Sequence, residues 1–142
     1  MKVRSVMTAE VKSAQPADSV HEVARRVSEI DTGVMPVCEG SRVIGLITDR
    51  DIVLRVVAEG LEADTPVSEV MTTALETCGE DDDVDEVVER MGERQIRRMI
   101  VLGEGGALAG VLSLGDVAHR AKAKTVGRAL DAISDAGDEP SA

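Results

Sequence analysis

The sequence predicts an α/β protein of two tandem β-α-β-β-α units related by a pseudo-twofold axis. Three observations lead to this prediction: an internal repeat, one apolar stripe in each helical segment, and paired short apolar runs separated by turn residues. Residues 3–38 align with residues 67–102 at a constant offset of 64, and 12 of those 36 positions are identical. Because a repeated sequence folds as a repeated structural unit, we read the chain as two copies of one unit.

Each copy begins with Val-Met-Thr, at residues 6–8 and 70–72, and continues into a short extended stretch at residues 11–14 and 75–78. A helix follows, and its start is marked by capping-box spacing, Ser19 with Glu22 in the first copy and Asp83 with Glu86 in the second. Apolar side chains then recur every three and four residues along each helix. We therefore predict a strand and an amphipathic helix at the start of each repeat.

Two apolar runs follow each helix, at residues 35–38 and 43–47 and again at 98–102 and 108–112. Glycine-containing turns separate the runs, so each pair reads as a hairpin, and each unit closes with a second helix. In the first copy that helix carries the apolar residues Ile52, Val53, Leu54, Val56 and Val57. They cover an arc of roughly 200°, wider than the stripe of about 100° that one core contact requires. We expect part of the arc to contact a second subunit in a homodimer.

The expected boundaries are residues 1–60 for repeat 1, 61–66 for the linker, 67–122 for repeat 2, and 123–142 for a C-terminal helix with a frayed acidic tail. Gly60 suits the position just past a helix end. A chain of 142 residues buries roughly two-thirds of its unfolded surface, which is enough for a core without disulfides or structural metal.

Charge and composition exclude several classes of function. The chain has 16 basic and 27 acidic side chains, a net charge of −11, which disfavours binding to nucleic acid or to an anionic membrane. No apolar run approaches the roughly 20 residues of a membrane span, and no signal-peptide segment opens the sequence, so we expect a cytoplasmic protein. Cys38 and Cys78 belong to no CxxC motif, and we predict that they are reduced structural thiols. With two histidines, the chain is expected to hold no metal.

The motifs, in this order and present twice, resemble the cystathionine β-synthase (CBS) domain pair, also called a Bateman module. The resemblance covers residues 1 to about 122. It rests on the two Val-Met-Thr openings, on Met35-Pro36-Val37 with Arg98-Met99-Ile100-Val101, and on the segments before each final helix. Those segments are GLITDRD at residues 45–51 and GVLSLGD at residues 110–116. Family membership alone leaves the function open.

The resemblance implies a regulatory module that binds an adenosine-containing ligand (AMP, ADP, ATP or S-adenosylmethionine) between the repeats and needs no other cofactor. Asp51 and Asp116 would accept hydrogen bonds from the ribose diol. Thr48 and Ser113 would contact the phosphate, and Arg97, Arg98 and Arg50 would be its basic partners. The adenine-contact candidates are Met35, Pro36, Val37, Met99, Ile100 and Val101. A carboxylate can accept from two vicinal hydroxyls, and a hydroxyl beside the first amides of a helix suits phosphate.

Simpler interpretations stay open for the same residues. Thr48 with Asp51, and Ser113 with Asp116, also have the spacing of a helix cap followed by a first-turn acid. Arg97 and Arg98 could be ordinary surface arginines. The first copy has Gly33-Val34 at the equivalent positions, so we expect one cleft to bind more strongly than the other. The acidic run at residues 80–83 is typical of a solvated helix start and not of a metal site.

No GxSxG, P-loop or HExxH motif occurs, so we expect no catalytic activity. Two hypotheses remain. In the first, the chain is a sensor that binds an adenosyl ligand and signals in trans to a separate effector protein. In the second, it is a scaffold or interaction protein that keeps the fold without binding nucleotide.

Overall fold

The computed structural model describes residues 1–30 and 33–120. The elements in chain order are α1 (Val20–Ser28), β1 (Val34–Glu39), β2 (Arg42–Thr48), α2 (Asp49–Asp51) with a π-helical continuation (Ile52–Val57), β3 (Thr77–Gly79), α3 (Val84–Arg94), β4 (Arg98–Leu102), β5 (Leu108–Ser113), and α4 at residues 114–120. Short 3-10 turns lie at Val3–Ser5, Val67–Glu69 and Glu104–Gly106. The predicted α/β class is confirmed, whereas the C-terminal helix expected within 123–142 lies outside the described residues.

The two sheets differ in their first strand. In the second repeat β3 pairs in parallel with β4, which pairs antiparallel with β5; in the first, β1 and β2 form an antiparallel pair. There the expected first strand is reduced to one bridge between Ala14 and Val37. Glu80 N donates to Leu102 O in the second repeat at 3.2 Å, and the equivalent residue in the first is Pro16, which has no N–H to donate. The parallel pairing in the first repeat therefore does not continue past Ala14.

The first helix of each repeat starts at the predicted cap. Ser19 Oγ accepts from Glu22 N at 3.1 Å, and Asp83 Oδ2 accepts from Glu86 N at 3.3 Å. Each cap satisfies an amide that the first helical turn leaves without a partner. The apolar stripes face inward: the buried residues of α1 are Val20, Val23 and Val27, and those of α3 are Val84, Val87 and Met91.

The opening segment of each repeat packs against the other repeat. Thr8 and Val111 exchange backbone hydrogen bonds of 2.9 and 3.0 Å, and Thr72 and Leu46 exchange equivalent bonds of 2.8 and 3.0 Å. Val3 accordingly belongs to the second core, with no exposed surface, and Val67 belongs to the first. The unit that repeats in the sequence is thus not the unit that packs, because residues 3–8 and 67–72 are exchanged between the halves.

The second helix of the first repeat turns π-helical after three α-helical residues. It ends in a Schellman motif: Leu61 N donates to Val56 O at 2.9 Å, Gly60 N donates to Val57 O at 3.2 Å, and Gly60 has φ +69°. The predicted apolar arc divides into an inner and an outer part. Val56 is buried, while Val53, Leu54 and Val57 are 56%, 48% and 70% exposed.

Candidate functional site

A cleft of about 830 Å³ lies where the two repeats meet, and we call it the Asp116 cleft. One wall is the turn from β5 into α4, which carries Ser113, Gly115 and Asp116. The first repeat contributes further lining residues, among them Thr8 and Ile30. Its volume falls within the range of about 300–1,000 Å³ usual for small-molecule sites.

The Asp116 carboxylate faces the opening segment of the first repeat. Asp116 Oδ2 accepts a hydrogen bond from Thr8 Oγ1 at 3.3 Å, and Asp116 N donates to Ser113 Oγ at 3.0 Å. Thr8 is fixed by its backbone pairing with Val111, so the threonine hydroxyl and the carboxylate come together through the exchange of the opening segments. This wall offers hydrogen-bond acceptors and rotatable hydroxyls to a polyhydroxy ligand.

The remainder of the Asp116 cleft combines apolar surface with two arginines. Val11, Ile30, Leu114 and Ala118 supply aliphatic side chains, which can contact a base in a chain without aromatic residues. Arg97 and Arg98 are exposed, and their side chains form no ion pair or hydrogen bond within residues 1–30 and 33–120. Two unpaired guanidinium groups in one cleft are available to an anion.

A second cleft, the Thr48 cleft, has a volume of about 520 Å³. Thr48, Asp49 and Arg50 line it from the β2–α2 turn, and Thr72, Ala74 and Glu76 line it from the second repeat. One of its two acidic lining residues, Glu76, forms ion pairs with Arg94 Nε at 3.5 Å and Arg90 Nη2 at 3.8 Å. Arg97 and Arg98 line both clefts.

Asp51, expected to contact ribose, belongs to its own helix cap. Its Oδ2 accepts from Thr48 N at 3.1 Å, while Asp51 N donates to Thr48 Oγ1 at 3.1 Å. Arg55 Nε lies 3.9 Å from the other carboxylate oxygen. Asp51 is absent from the lining of the Thr48 cleft, and its oxygens have the capping box and Arg55 as partners. The ribose contact of Asp51 stays a prediction.

The six adenine-contact candidates lie in the core. Met35, Pro36 and Val37 are buried in β1, and Met99, Ile100 and Val101 are buried in β4. None lines either cleft. Contact between these residues and adenine stays a prediction, because a buried side chain offers little surface to a base. The apolar pattern that made them candidates is that of buried strands.

Sequence reasoning missed the residues that the opening segments bring to the clefts. Thr8 lines the Asp116 cleft, and its repeat equivalent Thr72 lines the Thr48 cleft. The signal was present, since both close a Val-Met-Thr motif. The motif predicts the start of a repeat, but nothing in a linear sequence pattern shows that this segment packs against the other copy.

Three titratable groups outside the clefts have shifted pKa values. Burial, together with the nearby Asp82 charge, raises the pKa of the Cys78 thiol to about 11, and burial also raises the pKa of Cys38. In the acidic run, Asp81 accepts a hydrogen bond from Arg4, which lowers the pKa of that carboxyl. Across the described part of the chain, no three His, Cys, Asp or Glu side chains lie close enough together to hold a metal ion.

Comparison with known proteins reveals extensive similarity along the chain. The family model described as CBS domain matches residues 3–58 and 67–123. A CBS domain-containing protein, YhcV of Bacillus subtilis, is 35% identical over 133 residues, covering 93% of this chain and 94% of the relative. Within residues 1–30 and 33–120, no helix has the length and apolar character needed to cross a bilayer.

Two solved structures show the same fold. A conserved protein from Pyrococcus horikoshii has a TM-score of 0.77 at 30% identity, covering 85% of this chain and 92% of that one. The CBS domain pair of protein MJ0100, solved in complex with 5′-methylthioadenosine and S-adenosyl-L-methionine, has a TM-score of 0.77 at 22% identity, with 87% and 98% covered. At that identity the second likeness supports the fold alone.

Proposed function

Because the chain belongs to the CBS domain family, we propose that it is a regulatory module that senses an adenosine-containing ligand in the Asp116 cleft. The ligand class comprises AMP, ADP, ATP and S-adenosylmethionine. Binding in the cleft changes the contact between the repeats or between subunits, and a separate effector protein in the cytoplasm responds in trans. A ligand shifts such an equilibrium only by its different affinities for the two shapes.

The observation that carries the proposal is the composition of the Asp116 cleft. Asp116 supplies a carboxylate for vicinal hydroxyls, and Ser113 supplies a hydroxyl beside the first amides of α4. Arg97 and Arg98 supply two positive charges that have no ion-pair partner in the described part of the chain. Aliphatic side chains complete the walls. A nucleoside phosphate presents a diol, an anion and an apolar ring system, so each part of the ligand has a chemically matched part of the cleft.

The charge of the protein favours a ligand with few negative charges. The net charge of −11 repels a polyphosphate at long range, and only two or three arginines lie at the clefts to offset that repulsion. We therefore expect AMP to bind more tightly than ATP. The MJ0100 pair, which holds 5′-methylthioadenosine and S-adenosylmethionine, supports the proposal by showing that this fold accommodates ligands without a polyphosphate chain.

The exposed apolar side chains of the π-helical segment are the proposed homodimer contact. Val53, Leu54 and Val57 stand outward on consecutive turns, while the same segment buries Val56 in its own core. Water contact with three large apolar side chains on one helix is unfavourable, and a second copy offers the same surface to cover them. A dimer of this kind contains four repeats.

Calorimetric titration with AMP, ATP and S-adenosylmethionine tests the nucleotide proposal. We expect saturable AMP binding that weakens about tenfold or more in Asp116→Ala, because hydrogen bonds to a charged acceptor are lost. The matched control is Asp64→Ala, an exposed acid that lines neither cleft. A chain without Trp or Tyr also absorbs weakly in the near ultraviolet, so bound purine is visible directly.

The scaffold hypothesis is the second candidate, and Asp51 favours it. That carboxylate serves its own helix, which leaves the Thr48 cleft without an acidic acceptor from the β2–α2 turn other than Asp49. A scaffold predicts that no adenosyl compound raises the thermal stability at saturating concentration, whereas a sensor that binds ligand must be stabilised by it.

A further inference from the structure

We infer that Arg97 and Arg98 form one cationic wall shared by both clefts, so that an anionic ligand in one cleft weakens binding of an anionic ligand in the other. The inference rests on the proposed function and adds a rule for how the two clefts act together. Nucleoside monophosphates are the ligand class to which it applies. Uncharged nucleosides are expected to bind without this coupling.

Both arginines line both clefts, and their side chains are exposed and unpaired within the described residues. Their backbone is fixed, since Arg97 O accepts from Leu114 N at 2.9 Å and Arg98 begins β4. The guanidinium groups are therefore the parts of these residues that can turn toward either cleft. Both clefts therefore depend on the same two side chains for binding phosphate.

Gly33 places the Arg98 guanidinium between the halves. A Cβ built on Gly33 would lie 3.1 Å from Arg98 Nη2 and 3.4 Å from Arg98 Cζ, so the guanidinium rests against the bare Cα of the first repeat. Gly33 O in turn accepts from Asp49 N at 3.4 Å, at the start of the helix that borders the Thr48 cleft. Arg98 thus reaches from its own repeat to the edge of the other repeat's site.

The first repeat has no equivalent pair to replace these charges. Gly33 and Val34 occupy the positions that Arg97 and Arg98 occupy in the second repeat. A guanidinium that forms a bidentate contact with one phosphate has its donors committed to it. A phosphate arriving in the other cleft then meets fewer free donors and less positive charge, although Arg50 still lines the Thr48 cleft. The second anion binds more weakly than the same anion would bind alone.

Two blocked variants measure this coupling. Ala118 lines only the Asp116 cleft and Ala74 lines only the Thr48 cleft, and both are exposed. Ala118→Trp and Ala74→Trp should each leave one open cleft, whose AMP association constant is measured by calorimetry. The overall two-site constant of the unblocked protein, divided by the product of the two single-cleft constants, gives the coupling factor. Circular dichroism first establishes that each variant is folded.

For AMP we expect a coupling factor of about 0.1 or lower, within the 5–150-fold range typical of coupled sites. For adenosine, which has no phosphate, we expect a factor near one. Arg98→Gln separates shared binding from simple repulsion between two ligands. If the two ligands share the cation, Arg98→Gln moves the AMP coupling factor towards one. If the two ligands only repel each other, losing the positive charge of Arg98 moves the factor further below one. The Arg98→Gln comparison can be made in the unblocked protein from the AMP and adenosine isotherms if a tryptophan variant fails to fold.

A coupling factor of one for AMP, or AMP binding by only one of the two blocked variants, overturns the inference while leaving the proposed function intact. Absence of AMP binding in every variant and in the unblocked protein overturns both. One AMP per unblocked chain, with binding to both blocked variants, is the extreme form of the expected coupling.

Discussion

Gly45 and Gly110 lie where the exchanged opening segments cross the sheets. A Cβ at Gly110 would lie 2.5 Å from Thr8 O, and one at Gly45 would lie 2.5 Å from Met71 Sδ. The nearest obstacle at Gly110 is backbone, whereas at Gly45 it is the flexible Met71 side chain, with Thr72 O farther away at 3.1 Å. We predict that Gly110→Ala lowers the free energy of unfolding by about 1–3 kcal/mol, as overpacking does, and that Gly45→Ala costs less. Urea unfolding at equal protein concentration measures both.

Gly92 provides the control for this comparison. It lies inside α3, and a Cβ there meets nothing within 4 Å. Gly92→Ala should raise the free energy of unfolding by about 0.5–1 kcal/mol, since alanine favours the helix. Equal effects of Gly110→Ala and Gly92→Ala would contradict the close approach of Thr8.

Residues that are identical in the two repeats turn out to serve the architecture more than the site. Asp18 Oδ2 accepts from Gln15 N at 2.9 Å, and the equivalent Asp82 Oδ2 accepts from Gly79 N at 2.8 Å. Arg90 donates to Thr77 O at 2.8 Å. The repeat therefore predicted the fold well, because local caps and turns depend on neighbouring residues. It could not separate a capping acid from a ligand-binding acid.

At the scale of elements, the two helix starts that look alike in sequence use their acids differently. Asp51 closes a capping box with Thr48, whereas Asp116 accepts from Thr8 across the cleft. We predict that Asp51→Ala lowers the free energy of unfolding by about 1 kcal/mol, the net value of a lost hydrogen bond, and leaves AMP affinity within about twofold. Asp116→Ala should do the reverse, with little effect on unfolding and a large loss of affinity.

Thermal unfolding and calorimetry on the same two preparations provide the measurement. If both substitutions lowered AMP affinity equally, Asp51 would contact the ligand and its assignment as a structural cap would be wrong. The capping geometry was predictable from the Thr-x-x-Asp spacing. The difference between the copies was not, since it depends on Arg55 and on Thr8, which reach the two acids through tertiary structure.

The first strand of each repeat illustrates a second limit at this scale. Both were predicted from short apolar runs, and β3 forms, but the first-repeat strand shrinks to a bridge at Ala14. Pro16 carried the signal, because a proline cannot donate the hydrogen bond that extends the pairing. The π-helical turn at Ile52–Val57 had no such marker, because its apolar residues fit either helical form.

At the scale of the whole molecule, the exchange of opening segments makes the two halves one cooperative unit with clefts at their junction. Within residues 1–30 and 33–120, five large apolar residues are exposed, and three of them lie on the outer side of the π-helical segment, the others being Met1 and Leu61. We predict that Leu54→Lys converts a dimer to a monomer, because a charged side chain would be buried unpaired at the contact. Light scattering across a concentration series gives the mass, and Leu61→Lys, in the linker, is the matched control. An unchanged mass for Leu54→Lys would remove this helix from the interface.

Backbone amide chemical shifts during an AMP titration test most directly whether the junction of the repeats binds a nucleotide. We predict saturable shifts of the Gly115 and Asp116 amides, which border the Asp116 cleft, with far smaller changes at Asp64. Titration with AMP to millimolar concentration that leaves the Gly115 and Asp116 amides unmoved would contradict the proposed site.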